Sequence, residues 1–292
     1  MKPGILVVSH GSREREWVKL VDEAVALAVS GLTAFGSEPP DAAAGFTAFA
    51  PAAEPHSRAH EAEVDGMTVS VVCSFLEIVE GRLIQDGIDE LEASGVTDML
   101  VLPLFVSSGS THVDEIGQAF GLPPLSDLQG DLGEFRYRAS LTYGTPIDDD
   151  PLIAELLLDN IRELSLRPES EALLLVGHGS KEPVFRERWQ AGLGALAGRM
   201  RAAGGFARAE TAMLLPDEAA AKLRSMQEAH PGEAAIVVPL FLSQGYFTNT
   251  VIPTRLQGLD YRYNGRAMLP HGAVSRWLIR QMSEWLSRVR QG

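Results

Sequence analysis

The sequence predicts an α/β protein made of two similar units in tandem, each a small parallel sheet with helices on both faces. Three observations carry that expectation. Apolar runs of strand length alternate with segments of helical periodicity from one end of the chain to the other. Such a run stops at His-Gly-Ser twice, in "ILVVSHGSRERE" (5–16) and in "LLLVGHGSKEP" (173–183). The stretch "VLPLFVSSG" (101–109) returns as "VVPLFLSQG" (237–245). Near-continuous apolar strands that alternate with helices imply parallel sheets buried on both faces. The repeat is far too long for a solenoid.

In order along the first half, residues 5–9 read as a buried strand. "REREWVKLVDEAVALAV" follows as a helix, with Trp17, Leu20, Val21, Ala24 and Val25 at helical spacing. Residues 36–66, rich in Ala, Pro, Gly and acid, lack a period and read as an insertion. "MTVSVVCSF" (67–75) is a second strand and 80–95 a helix ending at a glycine. "DMLVLPLFVS" (98–107) is a third strand, "SGSTHVDEIG" a loop and "FRYRASLTYG" (135–144) a fourth strand. Asp148, Asp149 and Asp150 before Pro151 suit the start of the next helix.

The second half retells this. "EALLLVGHGS" is its first strand, "VFRERWQAGLGALAGRMRAAGG" its first helix, and "FARAETAMLLP", "EAAIVVPLFLSQG" and "YRYNGRAMLP" read as further strands. "DEAAAKLRSMQEA" and "SRWLIRQMSEWLSRVR" are helices. The expected boundaries are 1–167 for the first unit, with the insertion 36–66, and 168–292 for the second, the two facing each other across a cleft.

Composition narrows the function. Apolar residues at 45% and charged residues at 22% fit a globular protein. The net charge of −14 argues against nucleic acid, whose binding rests on Lys and Arg neutralising phosphates. No apolar run nears the roughly 20 residues that span a bilayer. The N-terminal segment reads as a first strand rather than a signal peptide. Cys73 is the single cysteine, so neither an internal disulfide nor a thiolate zinc cluster is possible. The expected location is the cytoplasm.

In open parallel sheets, ligands bind beyond the carboxyl ends of the strands. His10, Glu77 and His112 all lie just past predicted strand ends. Two imidazoles and a carboxylate suit a weakly held divalent ion; a neutral imidazole is a base near pH 7, and a carboxylate adds charge for the ion and can accept a proton. "SHGSR" after the first strand, "FLE" after the second and "LPLFVSSGSTHVDEI" after the third together resemble the cobalt and iron chelatases that metallate sirohydrochlorin. The second "GHGS" resembles the two-unit, long form of that family.

The resemblance implies a lyase of cobalamin or siroheme biosynthesis, a branch of porphyrin biosynthesis. Its activity would be insertion of Co²⁺ or Fe²⁺ into sirohydrochlorin. His10, Glu77 and His112 would surround the metal and the ring centre, as catalytic and metal-binding residues. No tightly bound cofactor is implied; the metal is a substrate. Arg13, Ser107, Ser108, Gly109, Ser110 and Thr111 would receive the carboxylates of the tetrapyrrole, Arg13 as a bidentate fork and the Ser-Gly-Thr loop through hydroxyls and backbone N–H groups. The partners are then an anionic tetrapyrrole and a divalent metal, with no nucleic acid or membrane, and the chain is expected to be a monomer.

The internal repeat tests the site. His178 matches His10, but aligning Pro103 with Pro239 carries His112 onto Thr248, and "SFLEIVE" against "AMLLPDE" sets Leu215 opposite Glu77. One active site, in the first unit, is expected. Tyr246 and Phe247 offer rings for stacking or for a core. His56 and His60 have metal-binding spacing if helical. His230 reads as a helix-end residue, and His271 as the end of a late strand. Two other functions fit less well: a non-catalytic metal or tetrapyrrole binding protein, and a phosphoryl-transfer hydrolase, for which the chain lacks a phosphate loop.

Overall fold

The computed structural model describes residues 1–35 and 59–291. The elements run β1 (Pro3–Ser9), α1 (Arg15–Phe35), β2 (Ala59–Val64), β3 (Met67–Phe75), α2 (Ile84–Ala93), β4 (Asp98–Pro103), α3 (Thr111–Ala119), β5 (Ser140–Tyr143) and α4 (Pro151–Ile161). They continue with β6 (Glu171–Gly179), α5 (Pro183–Gly204), β7 (Arg208–Leu215), α6 (Ala219–Ala229), β8 (Ala234–Pro239), α7 (Ile252–Arg255) and α8 (Gly272–Gln291).

The first sheet has the order β2-β3-β1-β4-β5. β1 lies at its centre, parallel to β3 on one side and to β4 on the other, with Ile5 opposite both Val71 and Leu100. Ile5, Leu6, Val7 and Val8 are wholly buried, so both faces of this strand are covered. Leu6, Val8 and Val72 pack with Ile84, Ile88 and Leu91 of α2 and with Val113 and Ile116 of α3. α1 and α8 pack on each other, where Ser275 Oγ donates to the Ala24 carbonyl at 3.0 Å. Each fully buried Val, Leu or Ile stabilises the fold by about 1.5–3 kcal/mol.

The second sheet is the all-parallel set β7-β6-β8. Leu174 and Val176 pack with Ala219, Leu223 and Met226 of α6 and Ile252 of α7. Gly177 faces Trp189 and Leu193 of α5. Asp150 caps α4 by accepting from Leu152 N–H at 2.9 Å, with Pro151 at the first helical position. Of the three consecutive aspartates only this one caps; Asp149 pairs with Arg199, and Asp148 accepts from Ser108 N–H.

The structure departs from the sequence reading in four places. "SGSTHVDEIG" is not a loop throughout, because α3 starts at Thr111. The fourth strand is only Ser140–Tyr143, and 261–270 makes no strand beyond an isolated bridge between Arg262 and Ile236. Residues 59–64, read as part of the insertion, form β2, antiparallel to β3 and closing its outer edge. Residues 36–58, with the rest of the insertion and His56, lie outside the described residues. His60 sits in strand β2, not in a helix.

Compactness divides the chain into two units and places the C-terminal helix in the first. One unit comprises Met1–Phe105, His112–Pro146 and Pro270–Gly292, the other Val106–Thr111 and Ile147–Leu269. The reason lies in α8, whose Val274, Trp277, Leu278, Ile279, Met282 and Trp285 are buried. Its contacts are with α1, β1 and β4 of the first unit.

A candidate metal and proton site at the rim of the first sheet

In the first sheet the connections leave β1 for β3, then cross back to β4 on the other side. At such a reversal the loops diverge beyond the strand ends and leave a crevice. His10 follows β1, Glu77 follows β3, and His112 opens α3 after β4.

His10 is fixed from several directions. Trp17 Nε1 donates to its carbonyl at 2.8 Å, and Leu76 N–H donates to the carbonyl of Ser9 at 2.9 Å. His10 Nδ1 lies 2.8 Å from the Gly11 carbonyl oxygen. A carbonyl only accepts, so Nδ1 carries a proton, and in the neutral ring Nε2 then keeps its lone pair. Gly11 is buried, and a β-carbon there would collide with the carbonyl oxygen of Glu77. The glycine of His-Gly-Ser thus lets two rim loops touch.

Glu77 stands in a tight turn. Val79 N–H donates to its carbonyl at 2.7 Å, across Ile78 at φ +71°. A β-branched residue in the left-handed region is a strained outlier, and the γ-turn with positive φ is itself rare. The loop is anchored behind this turn. Arg82 gives a two-pronged pair of bonds to Asp22 of α1, at 2.8 and 2.6 Å, and lies 4.9 Å over the Phe75 ring.

His112 Nδ1 lies 3.3 Å from Glu115 Oε2, one helical turn on, and Glu115 Oε1 accepts from Asp131 N–H at 3.2 Å. A carboxylate at Nδ1 leaves Nε2 as the acceptor here also. Glu115 is the rim residue that the sequence reading missed; its only signal is the i,i+3 spacing from His112, which has meaning once 111–119 is helical.

The three expected residues come together. His10 and His112 are edge to face, with ring centroids 5.0 Å apart, and His10 Nε2 is 3.7 Å from Glu77 Oε1. Their side chains are 41, 42 and 52% exposed for His10, His112 and Glu77, open enough for an ion to arrive from solvent. They do not form a ready cage. Among the described residues, no three His, Cys, Asp or Glu side chains are placed to hold an ion. Donors about 2.0–2.2 Å from one ion must draw in closer than this.

The expected carboxylate-binding residues fare unevenly. Arg13 is exposed, and nearby Glu16 pairs with Lys19 at 3.7 Å. The backbone N–H groups of the 107–111 loop are turned inward. Ser108 N–H donates to Asp148 at 2.7 Å, Gly109 N–H to the buried Ser107 hydroxyl at 3.0 Å, and Ser110 N–H to the Ser107 carbonyl at 3.0 Å. These three amides and the Ser107 hydroxyl are bonded within the protein in this structure. The hydroxyls of Ser108, Ser110 and Thr111 remain on accessible side chains. Gly109 serves close packing, since a β-carbon there would strike the Phe185 carbonyl and Trp189. Burial raises Asp148 above the ordinary carboxylate range, against the pull of the Ser108 and Ser107 bonds.

The second unit repeats the frame without the chemistry. His178 Nδ1 meets the Gly179 carbonyl at 3.0 Å, and a β-carbon on Gly179 would strike the carbonyl of Leu215. Leu215 therefore holds the place of Glu77, as the repeat alignment expects. The counterpart of His112 is Phe247, not Thr248, with its ring 5.1 Å from His178. The loop between the strand-end proline and this ring is one residue shorter than in the first unit, and a π turn over Phe247–Val251 follows it. His230 caps the end of α6, and His271 Nδ1 accepts from Ala273 N–H as α8 begins, since no strand forms before it. A cavity of about 510 Å³ in this unit, among Leu193, Thr211, Met213, Glu218 and Lys222, includes none of the rim histidines.

Fold and rim together define a two-unit α/β protein with imidazole and carboxylate donors at a topological switch point. The chain belongs to the CbiX family, whose model matches residues 32–164 and again 172–282. A sirohydrochlorin cobaltochelatase of Methanopyrus kandleri is 28% identical over 105 residues, which are 32% of this chain and 73% of that one. Among solved structures, SirB from Bacillus subtilis with Fe³⁺ superposes with a TM-score of 0.67 at 20% identity, over 100% of this chain and 98% of that one. The structure of CbiX, the terminal enzyme for biosynthesis of siroheme in denitrifying bacteria, gives 0.52 at 17% identity, over 98% of each chain. These two likenesses carry the fold. No helix among the described residues is long and apolar enough to cross a membrane.

Proposed function

We propose that this protein inserts a divalent metal, Co²⁺ or Fe²⁺, into sirohydrochlorin, using the rim of the first unit. The observation that carries the reading is the meeting of His10, Glu77 and His112, which follow three different strands, at one switch point. Family membership and the named relative supply the substrate class.

Insertion replaces two pyrrolic N–H protons with one M²⁺, so two protons must leave the ring. In their neutral forms His10 and His112 each present Nε2 as an acceptor, and Glu77 brings a carboxylate beside His10. The same atoms can hold the arriving ion loosely and then take a proton as the ring nitrogens replace them on the metal. Loose holding suits delivery, because a closed tetrahedral cage would retain the ion. The half-exposed rim lets the protons pass on to water. Arg13 and the hydroxyls of Ser108, Ser110 and Thr111 are our candidates for receiving the ring's carboxylates.

The test follows the optical change of sirohydrochlorin on adding Co²⁺ or Fe²⁺. The unaltered protein should exceed the spontaneous rate. His10→Ala, His112→Ala and Glu77→Gln should each lose about 100-fold or more, the scale of a positioned acid–base group. Rates equal to the unaltered protein in all three would reject the site. A protein that binds both partners yet never accelerates the change would be a carrier.

A further inference from the structure

The rim of the second unit is built like the first but carries different chemistry. His178 has the same bond from Nδ1 to the next residue's carbonyl, which leaves Nε2 with its lone pair. The second imidazole is replaced by Phe247, at 83° to His178. Phe247 is stacked on Phe241 with centroids 5.5 Å apart, and Tyr246 meets it edge-on at 5.8 Å. Tyr246 is 71% exposed and Phe247 37%, so large ring surfaces face water here. The acid is replaced by Leu215, and the two carboxylates that follow it in the chain are paired. Asp217 pairs with Arg255 at 3.4 Å and Glu218 with Arg186 at 3.1 Å. Lys181 stands exposed where the first unit has Arg13.

A bare divalent ion is poorly served by one imidazole with no carboxylate, since stable sites use several N or O donors. An ion already held by four ring nitrogens is different. Only its axial positions are open, and a single histidine is a common axial ligand for such a metal. Aromatic side chains add a surface against which a flat π-system packs, and a lysine can meet a carboxylate at its edge.

We propose that the second rim is a binding site for a metal-loaded tetrapyrrole, with His178 Nε2 as the axial ligand and Phe247 and Tyr246 as the stacking surface. This rests on the chelatase reading, because it is the class of compound that reaction releases. The unit duplicated from the metal-handling half has exchanged its proton acceptors for a platform that recognises the finished product.

The experiment adds cobalt(II)-loaded sirohydrochlorin to the full chain and records electron paramagnetic resonance and optical spectra. One axial nitrogen splits the low-spin cobalt(II) lines into triplets. The unaltered protein should show the triplets, and a His10→Ala/His112→Ala double variant should keep them. His178→Ala should lose them, as should His178→Gln, which guards against a folding defect in either one. Phe247→Ala should weaken binding about tenfold. Triplets that persist in both His178 variants, or vanish in the double variant, overturn the proposal. Conversion of metal-free sirohydrochlorin by a protein whose cobalt spectra never depend on His178 would sink this inference and leave the chelatase reading standing. A protein that neither converts nor binds the macrocycle would sink both.

Discussion

Gly11 shows how one residue without a side chain sets the distance between two others. The Glu77 carbonyl lies where its β-carbon would be, and that approach brings the acid beside the His10 ring. Gly11→Ala is expected to push the Glu77 turn away, cost about 1–3 kcal/mol of stability as an overpacked site does, and lower chelation more than binding of the macrocycle. Thermal denaturation and steady-state rates would show both. Glu115 acts through another residue, holding Nδ1 of His112. Glu115→Ala should reduce chelation by about 10- to 100-fold, the usual effect of losing a ligand's orienting partner, with circular dichroism unchanged. His10 and Glu77 stand out in the sequence because each closely follows an apolar run, and His112 because it lies in the polar stretch after the third such run. Glu115 does not, because its role exists only through the turn of a helix that the Ser-Gly-Thr composition disguised.

At the scale of elements, a buried polar cluster ties α1, β2, β3 and the turn before α2 together. Asp22 and Arg82 form its ion pair, and Arg82 also reaches toward the Cys73 carbonyl at 3.3 Å. Removing one partner of a buried pair typically costs about 3–5 kcal/mol, so the anchor of the Glu77 turn is firm. His60 of β2 stands in the same field. Burial pushes it below its ordinary 6.5, Asp22 opposing that shift and Arg82 adding to it. The unfolded chain therefore binds more protons between the two values, and stability is lost as pH falls through 6.5 toward the folded value. Denaturant unfolding at pH 7.5 and at pH 5.5 should show a smaller pH dependence in His60→Gln than in the unaltered protein. An equal dependence would place the titration elsewhere. None of this was legible beforehand, since β2 hid in a segment with no strand period.

For the whole molecule, the duplication was readable because His-Gly-Ser and the "PLF" runs survive in both halves, while the allotment of helices was not. Periodicity reports that α8 is amphipathic, not which sheet receives its buried face. The same limit applies to 261–270, where strand-like residues pack as extended chain with a single bridge. Residues 1–167 expressed alone are expected to fail to fold, since they lack the helix that covers one face of the β1–β4 sheet. Adding a peptide of residues 270–292 should restore protection of the β1 and β4 amides from hydrogen exchange. A fragment that folds and chelates unaided would contradict that assignment.

The helix of residues 272–291 also sets an order of events during synthesis. Proteins often complete their N-terminal portion while the ribosome is still at work. Here the face of the β1–β4 sheet that α8 covers stays bare until translation has passed Trp277 and Trp285. Nascent chains halted before residue 270 should thus be readily digested in β1 and bind chaperones, and the rim that carries His10 should mature only after the second unit has been made.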